Sequence, residues 1–486
     1  MSKFTYTRLN HLLVIIALLV GVAFRIWQIL TDYGIYWPDE IYQSIAPAHK
    51  MVFGHGFLPW EFIYGMRNWA FPGFIALLLK ISSSIKNTPE FYLTFIKSFF
   101  AITSLLTSYG CYLLTRSLRG NHVAGLMAAV LTLLSIPLIY FSHRALTEVA
   151  SMPLIVFGLY FTFRSTKNYK TVGMASSLLA LAVILRPQNA IFALGMLIHL
   201  LIIKDYRAFL NSLAIFIFWA FILGFMDYLT WGQWFYSSIT YLKFNLIQQG
   251  ANLFGTEGPS YYFMAIYKSI GAFSLFLLSG WLLGIKNKLI LPYIILAYFL
   301  AHQFLSHKEF RFIIVLLPLL FSLTGIFFTK ALKLKTIMVL TLFLCFRLIH
   351  FSEIKMDKIS HIRFPLNKSA FNYYGDINRL LLLANKKTDL CGLKIDDFNL
   401  IWSGGYSYLH QNVPLYGGAG PGLEKHHYNY LIMKTNPLNS TYQVATIGQY
   451  SLLKLPFNHC KKDEHFSWRI DPTFSVPLNL PPKRLL

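Results

Sequence analysis

Long apolar stretches recur through the first three quarters of the chain, and they constrain its fold more than any other feature of the sequence. A stretch of about 20 apolar residues is long enough to cross a bilayer as a helix. The 486-residue chain is 55% hydrophobic and only 13% charged, with a mean hydropathy of +0.50, far from the balance of a soluble globular protein. The sequence therefore predicts an α-helical polytopic membrane protein.

The positions of these stretches predict about eleven transmembrane spans. The run His11 to Leu30 lacks a small-residue cleavage site, so we interpret it as a first span that also serves as signal anchor. The segment Phe71 to Lys86 is apolar but short, and it is either an interfacial helix or a further span. The predicted spans cover approximately residues 11–30, 91–114, 123–141, 149–163, 171–185, 189–203, 208–226, 261–284, 289–305, 311–329 and 336–350.

Lysine and arginine predict the orientation of these spans, because loops rich in them face the cytoplasm. With Phe71 to Lys86 kept at the surface, one set of loops collects most of the basic residues. The opposite side then receives the loop of residues 31–90, the loop Asp227 to Ser260 and the tail after about residue 351. The net charge of +23 comes from residues scattered singly between apolar segments, so no nucleic-acid partner is expected.

The tail, residues 351–486, differs in composition from the predicted transmembrane domain of residues 1–350. Glycine, proline, asparagine and aspartate become frequent, and strand-like segments flank Trp402 to Leu409. We expect a small mixed α/β soluble domain on the non-cytoplasmic side. Cys391 and Cys460 are the two cysteines outside apolar segments, and they either pair in an oxidising compartment or stay as free thiols. The four cysteines show no metal-ligand spacing.

Asp39 and Glu40 follow the first span and a proline, among aromatic residues. Ionisable groups at the mouth of a membrane domain are costly when partly buried, and are then usually functional. Nearby aromatic rings could desolvate a carboxylate and raise its pKa toward the range useful to a general base. The alternative is a solvated loop whose acidic residues help to fix orientation. The pair is therefore a candidate catalytic base.

A second polar run, Ser306 to Phe312, separates two apolar spans and contains His307, Lys308, Glu309 and Arg311. Cations at a membrane surface suit a phosphate or pyrophosphate head group. The alternative interpretation is that this charge cluster is a solvated turn between two helices. This cluster is predicted on the non-cytoplasmic side, against the charge bias, and so requires another reason to be there.

Further polar residues interrupt the apolar regions on the same predicted side. Arg144 and Glu148 are four apart and could pair on one helix face, either as a structural pair or as a substrate contact. Arg186 precedes a proline and is either a second phosphate ligand or part of a helix-ending turn. The loop Asp227 to Tyr262 is long enough for a functional lid. No nucleotide-binding loop, dinucleotide fingerprint or zinc motif occurs, so neither cofactor nor metal is expected.

These residues together resemble the membrane mannosyltransferases that take sugar from a lipid phosphate, a family that includes enzymes of GPI-anchor and N-glycan precursor synthesis. The similarity is continuous from about residue 20 to residue 330. Its motifs are Pro38-Asp39-Glu40 with Gln43, Pro47-Ala48-His49, Arg186-Pro187, Phe244-Asn245, Phe254-Gly255-Thr256 and His307-Lys308-Glu309-Phe310-Arg311-Phe312.

The resemblance implies the C-type glycosyltransferase fold and inverting transfer of mannose from a polyprenyl phosphate to a hydroxyl of a glycan or glycolipid, facing the ER lumen or the periplasm. It implies Asp39 as base, with Glu40 as runner-up. The departing phosphate needs cationic stabilisation, which we assign to His307, Lys308 and Arg311 with support from Arg186. Substrate contacts are expected from Gln43, His49, Arg144, Glu148, Asp227, Asn245 and Glu309.

Two other functions fit parts of this pattern. A transporter or flippase of lipid-linked glycans would also carry intramembrane charges, but such proteins often show internal repeats, and none is found in this sequence. An enzyme of the same fold could move another sugar. The sequence favours the mannosyltransferase.

Overall fold

A computed structural model of the chain describes residues 3–164, 168–331, 372–420, 422–435, 442–456, 460–471 and 475–479. Contacts within the chain divide it into two compact units. The larger unit comprises Met1–Gln28 and Ser98–Asn367, and the smaller unit comprises Ile29–Lys97 and Lys368–Leu486. The predicted boundary between a transmembrane and a soluble domain near residue 350 stays a prediction.

Helices make up most of the described chain. They are α1 (Lys3–Thr31), α2 (Pro38–Glu40), α3 (Ala46–Phe53), α4 (Trp60–Ile63), α5 (Ala70–Ile85), α6 (Pro89–Ser117), α7 (His122–Leu134), α8 (Ile136–Phe141), α9 (Thr147–Arg164), α10 (Tyr169–Leu185), α11 (Ala190–Ile202), α12 (Tyr206–Trp231), α13 (Tyr236–Leu242), α14 (Tyr261–Ile270), α15 (Ser274–Lys286), α16 (Leu291–Gln303), α17 (Leu316–Ala331), α18 (Gly375–Ala384) and α19 (Tyr406–Leu409).

Each predicted span within the described residues coincides with one helix or with two helices separated by a short break. The span predicted at 123–141 breaks at Ser135, before Pro137, and the span at 261–284 breaks near Gly271. Within the described ranges, four segments are long and apolar enough to cross a membrane by length and composition: Val14–Thr31, Pro89–Ser117, Tyr206–Trp231 and Tyr261–Lys286. The protein is a multi-pass integral membrane protein. The span predicted at 336–350 lies outside the described residues.

Asparagine and aspartate begin three of the helices in the larger unit. Their side chains accept hydrogen bonds from backbone N–H groups that have no partner within the first turn of a helix. Asn121 caps α7 through Ala124 at 2.8 Å, and Asp205 caps α12 through Ala208 at 3.0 Å. Asn168 caps α10 in the same way. These short polar residues therefore fix where the apolar helices begin.

Small residues allow the helices of the larger unit to approach closely. A Cβ added at Gly325 of α17 would lie 2.4 Å from the backbone oxygen of Ala124 in α7. A Cβ at Gly280 of α15 would lie 2.7 Å from the backbone of Thr324 in α17. Within a membrane, where helices gain little from hydrophobic association, such close packing is a main source of helix attraction.

The smaller unit contains the strands β1 (Leu58–Pro59), β2 (Leu393–Ile395), β3 (Leu415–Tyr416), β4 (Tyr430–Lys434), β5 (Gln443–Ile447), β6 (Tyr450–Lys454) and β7 (Arg469–Ile470). Five of them form one sheet in the order β3-β2-β4-β6-β5, in which the first three strands are parallel and the last three antiparallel. Helix α18 packs on this sheet. The expected mixed α/β region of the tail is confirmed.

Residues from the first loop belong to the same unit as this sheet. Strand β1 pairs in parallel with β7, so residues 58–59 of the first loop are hydrogen-bonded to residues 469–470 of the tail. Asn378 of α18 donates a hydrogen bond to the carbonyl oxygen of Tyr33 at 2.7 Å. Helix α5, the ambiguous segment, has 16 residues and lies within this unit. That length is below the roughly 20 residues of a membrane span.

A disulfide joins Cys391, just before β2, to Cys460, after β6. Their Cα atoms lie 5.7 Å apart, and the pair is separated by 69 residues of sequence. The alternative of two free thiols is therefore wrong. Closing so long a loop removes many conformations from the unfolded chain, so the bond stabilises the fold around the sheet.

Replacing both cysteines by serine should lower the free energy of unfolding of the smaller unit by about 2–4 kcal/mol, because the unfolded chain regains the entropy of the open loop. Pulse proteolysis of the detergent-purified protein across a urea series measures this change. Cys111→Ala, a buried cysteine in α6, is the control and should leave the smaller unit's resistance unchanged. Equal resistance of the double variant and the wild type would contradict the expectation.

Candidate active site

Glu148 is the centre of a buried ion network in the larger unit. It lies in the first turn of α9 and is 2% exposed. Its Oε1 accepts a hydrogen bond from Nη1 of Arg186, and Nη1 of Arg311 lies 3.6 Å from the same oxygen. Arg186 occupies the break between α10 and α11, where Pro187 prevents continuation of the helix. Three separate segments thus bring one carboxylate and two guanidinium groups together.

Glu309 extends this network within the predicted phosphate-binding run. Its two carboxylate oxygens accept hydrogen bonds from Nε and Nη2 of Arg311, at 2.6 and 3.1 Å. Such a bidentate pair fixes the guanidinium plane as well as its position. Burial alone would raise the pKa of Glu309, but the charge of Arg311 and the hydrogen bonds from Arg311 and His307 outweigh it and lower that pKa. Glu309 is therefore an ionised support for the cations.

His307 donates from both ring nitrogens. Nδ1 lies 2.7 Å from the carbonyl oxygen of Gly255, and Nε2 lies 3.1 Å from Oε1 of Glu309. Both partners can only accept, so both nitrogens carry protons and the ring is an imidazolium. Burial opposes this charge, yet the hydrogen bond to Glu309 and its negative charge prevail and raise the pKa of His307.

Lys308 points to a different environment. Its ammonium donates to the backbone carbonyl oxygens of Glu257, at 3.1 Å, and of Leu305. The backbone N–H of Glu257 in turn donates to the carbonyl oxygen of Ser306 at 2.9 Å. Lys308 therefore ties the glycine-rich end of the 227–262 loop to the His307 run.

We define the cationic cluster as Arg186, His307 and Arg311. The aromatic ring of Phe312 lies against its two guanidinium groups. The guanidinium carbons of Arg186 and Arg311 lie 4.7 and 5.2 Å from its centroid. Contacts of this kind stabilise a cation through the negative face of the ring. Three cations and the two carboxylates Glu148 and Glu309 leave one net positive charge. Nε of Arg186 has no hydrogen-bond partner within the described ranges.

Three other predicted substrate residues of the larger unit take part in local structure. Arg144 precedes α9 and so does not share a helix face with Glu148, because the helix begins only at Thr147. Its buried guanidinium lies 4.6 Å from the Tyr140 ring centroid. Asp227 accepts hydrogen bonds from the backbone N–H and the hydroxyl of Ser237 at 2.8 and 2.7 Å. Asn245 donates to the carbonyl oxygen of Tyr241 at 2.9 Å.

The smaller unit holds the predicted base. Asp39 and Glu40 lie in the short helix α2, where Pro38 occupies the first position. Oε2 of Glu40 accepts a hydrogen bond from the backbone N–H of Tyr36 at 2.9 Å, and Glu40 is buried. Asp39 is half-buried. The Glu40 carboxylate therefore holds the backbone just before α2 in place, whereas Asp39 is the more accessible of the two carboxylates.

Glu61 is a further candidate that sequence reasoning missed. It lies in α4 and is 6% exposed, and its Oε1 accepts a hydrogen bond from Nε2 of Gln43 at 2.9 Å. Burial raises the pKa of Glu61 to about 7; the negative charge of Asp39 adds to the shift, and the positive charge of Arg67 opposes it. A carboxyl group that titrates near neutral pH suits acid–base chemistry. The signal available in the sequence was an acidic residue within the aromatic run Trp60 to Phe62.

His49, predicted to contact substrate, lies fully buried beside two histidines that the sequence analysis did not connect to it. Its Nε2 is 3.0 Å from Nδ1 of His410, and its Nδ1 is 3.3 Å from the carbonyl oxygen of His55. One potential ligand nitrogen from each of the three residues lies within 4.8 Å of the others. A separation of 361 residues between His49 and His410 left no spacing pattern to detect.

Known proteins resemble this chain over most of its length. The family model described as the Alg9-like mannosyltransferase family matches residues 16–365. GPI mannosyltransferase 3 of Yarrowia lipolytica is 30% identical over 316 residues, which cover 62% of this chain and 60% of that protein. GPI alpha-1,2-mannosyltransferase 3 of Homo sapiens is 30% identical over 318 residues, covering 62% of this chain and 55% of that protein. The chain thus spans less than two thirds of the length of these relatives.

Solved structures share the fold at low sequence identity. ArnT from Cupriavidus metallidurans bound to undecaprenyl phosphate has a TM-score of 0.57 and 12% identity, covering 93% of this chain and 98% of that one. The oligosaccharyltransferase AglB from Archaeoglobus fulgidus, in complex with an inhibitory peptide and a dolichol-phosphate, has a TM-score of 0.56 and 13% identity, covering 91% and 71%. The predicted C-type glycosyltransferase fold is confirmed.

The charge of His307 should make the stability of the protein depend on pH. Because its pKa is raised by folding, its contribution is full below the ordinary histidine value of about 6.5 and disappears as pH rises through the raised value. The difference in Tm between wild type and His307→Gln should therefore be largest near pH 5 and shrink toward about pH 9. Glu309 stays ionised throughout, since its pKa is lowered.

Thermal unfolding of the detergent-purified proteins across this pH range measures the effect. His122→Gln replaces an exposed histidine of the same unit and should show no such trend. A difference between wild type and His307→Gln that is constant with pH would show that the ring is not an imidazolium.

Proposed function

The chain belongs to the Alg9-like mannosyltransferase family, and from this we propose that it is an inverting glycosyltransferase that moves mannose from a polyprenyl phosphate to a hydroxyl of a glycan or glycolipid. The observation that carries the proposal is the cationic cluster of Arg186, His307 and Arg311, held by the buried carboxylates of Glu148 and Glu309. Its chemistry suits an anionic leaving group at a membrane surface.

We assign the donor phosphate to the cationic cluster. As the bond between the anomeric carbon and the phosphate oxygen breaks, negative charge builds on that oxygen and needs nearby cations. The single net positive charge of the cluster can be balanced by a phosphate diester, and the free Nε–H of Arg186 offers a donor. His307 is assigned to this site through its positive charge, since both of its N–H groups already donate within the fold. Lys308 is assigned a supporting role, because its ammonium binds the carbonyl oxygens of Glu257 and Leu305 and so holds the neighbouring loop.

We assign the base to Asp39. In this mechanism its carboxylate takes the proton of the acceptor hydroxyl while the hydroxyl oxygen attacks the anomeric carbon from the face opposite the phosphate, which inverts the configuration. Glu40 is the weaker candidate, since its carboxylate accepts the backbone N–H of Tyr36. Glu61 tunes this site through its charge and its hydrogen bond with Gln43, and is the second candidate for proton transfer.

We infer that this chemistry takes place on the non-cytoplasmic side, in the ER lumen or the periplasm. The disulfide between Cys391 and Cys460 supports this side for the smaller unit, because disulfides persist in oxidising compartments and are rare in the cytosol. The charge bias of the loops supports the same orientation. The partners expected for this reaction are membrane lipid, the lipid-linked sugar donor and the glycan or glycolipid acceptor.

Replacing Asp39 by asparagine should abolish sugar transfer, because the amide cannot accept the hydroxyl proton, while donor binding persists. The experiment compares Asp39→Asn, Glu40→Gln and Glu61→Gln in a reconstituted assay with polyprenyl phosphate mannose and a panel of mannosylated acceptors. General-base loss should reduce kcat by at least about 100-fold. Glu61→Gln should lower the rate less and remove an inflection near pH 7 from the profile of kcat/KM.

The three carboxamide variants control for one another, since each changes one oxygen to nitrogen. Loss of transfer in Glu61→Gln alone would move the base to Glu61, and loss in Glu40→Gln alone would move it to Glu40. Full sugar transfer by all three variants would contradict the proposed general-base chemistry. A parallel panel of donors with other sugars tests whether the sugar is mannose.

Replacing Arg311 by alanine should weaken the use of the lipid phosphate donor. The expected loss in kcat/KM is about 100-fold or more, in line with removal of one preorganised charge from a developing anion. Arg311→Lys should recover little, since lysine cannot make the bidentate pair with Glu309. Arg116→Ala, an exposed arginine of the same unit, is the matched control and should transfer sugar normally.

Loss of Arg311 also leaves Glu309 without its main counter-charge, so activity must be expressed per folded molecule. Thermal unfolding and binding of the polyprenyl phosphate are therefore measured on the same preparations. Normal kcat/KM in well-folded Arg311→Ala would remove its phosphate role.

A further inference from the structure

Three histidines of the smaller unit converge in a way that the proposed transfer reaction does not use. His49 lies on α3, His55 follows the end of that helix, and His410 follows α19. The ring centroids lie 5.2 Å apart for His49 and His55, 5.2 Å for His49 and His410, and 6.0 Å for His55 and His410. Side chains from two distant parts of the chain thus meet, and His49 contacts both of the other rings edge to face.

Backbone carbonyls set the tautomers of two of these rings. Nδ1 of His49 faces the carbonyl oxygen of His55 at 3.3 Å, and Nδ1 of His55 faces that of Phe53 at 3.1 Å. A carbonyl oxygen can only accept, so both Nδ1 atoms carry the proton and both Nε2 atoms present a lone pair. A hydrogen bond from the second ring nitrogen to a carbonyl is the usual support of a metal-binding histidine.

The nitrogens left over point to a shared centre. Nε2 of His49 lies 3.0 Å from Nδ1 of His410, a hydrogen bond in which His410 donates to the His49 lone pair. A metal bound there would replace this hydrogen bond, with the His410 proton on its Nε2 instead. Nε2 of His55 is buried with no hydrogen-bond partner in the described part of the chain. One ring nitrogen from each of the three histidines lies within 4.8 Å of the others. Ligands of a tetrahedral zinc ion, each about 2.0–2.1 Å from the metal, lie roughly 3.3 Å apart. Binding of a metal would therefore require the ring nitrogens to move closer together than 4.8 Å.

The surroundings favour neutral imidazoles, the form that binds a metal. Burial lowers the pKa of His49 well below the usual value, and the neighbouring histidines lower it further. Burial also lowers the pKa of His410 to about 4. The ring of Phe53 lies 4.7 Å from that of His49 and 4.6 Å from that of His410, which limits access of water.

The backbone is shaped to hold this arrangement. His410 adopts a φ of +52°, a left-handed conformation that is uncommon for a residue with a side chain. Gly56 has a φ of +110°, and a Cβ there would lie 3.5 Å from Nδ1 of His49. Residues held in such conformations cluster at functional sites.

We propose that His49, His55 and His410 form a binding site for a zinc ion or another divalent transition metal, which links the end of α3 to the end of α19 within the smaller unit. Three imidazoles suit zinc, copper or nickel and leave one coordination position for water or a small anion. The metal site is separate from the proposed transfer reaction. It does not depend on that reaction and contributes no reacting group to it.

The test uses the full chain in detergent, purified without a polyhistidine tag and stripped with a chelator. Titration with ZnCl2 should show one saturable site per chain and a rise in Tm on binding. His55→Ala and His410→Ala, both at partly exposed positions, should each weaken zinc binding at least tenfold. His465→Ala, an exposed histidine of the same unit, should bind as the wild type does.

Cobalt provides a second measurement that does not depend on stability. Binding of CoCl2 should give the visible bands of a tetrahedral cobalt ion with imidazole ligands, and His410→Ala should lose them. Absence of a saturable site in the wild type would overturn the proposal. Equal zinc affinity in His55→Ala, His410→Ala and the wild type would also overturn it, since the metal would then bind elsewhere.

Discussion

A single buried carboxylate, that of Glu148, is the interaction on which the candidate site of the larger unit depends. An unpaired guanidinium in a protein interior costs several kcal/mol, and removal of its partner destabilises the fold by about 3–5 kcal/mol. Arg186 and Arg311 share Glu148, so the start of α9, the break between α10 and α11 and the turn before α17 must pack where the three charges meet. The same constraint that holds the helices therefore preorganises the cations.

In the His307 run and in α2, adjacent residues differ in their contacts: one residue supports the structure, and its neighbour is left for the proposed chemistry. In the His307 run, Glu309 and Lys308 hold other groups in place, and Arg311 and His307 carry the charge that a phosphate would meet. In α2, Glu40 binds a backbone N–H while Asp39 stays partly exposed. Burial explains the division, because each charged group inside a protein needs partners that a neighbouring residue can supply at short range.

The sequence predicted the features that depend on local patterns, such as the helices under the apolar runs and the cations of the His307 motif. Features that depend on tertiary packing were beyond it. Glu148 pairs with Arg186 at a separation of 38 residues, and Arg144 lies outside the helix that contains Glu148. The importance of Glu61 rests on its burial, for which the aromatic neighbours Trp60 and Phe62 were the only local sign. His49 and His410 have no common motif at all.

The predicted placement of the run Ser306 to Phe312 against the charge bias has a physical explanation in these contacts. The bias counts each lysine and arginine as a free charge that must be kept from crossing the membrane. Here the cations of the run are paired with carboxylates: Glu309 contacts His307 and Arg311, and Glu148 lies 3.6 Å from Arg311. Lys308 is further stabilised by two carbonyl oxygens. A positively charged run on the predicted non-cytoplasmic side is therefore compatible with the orientation that the remaining loops indicate, because its cations are held by carboxylates and carbonyl oxygens within the fold.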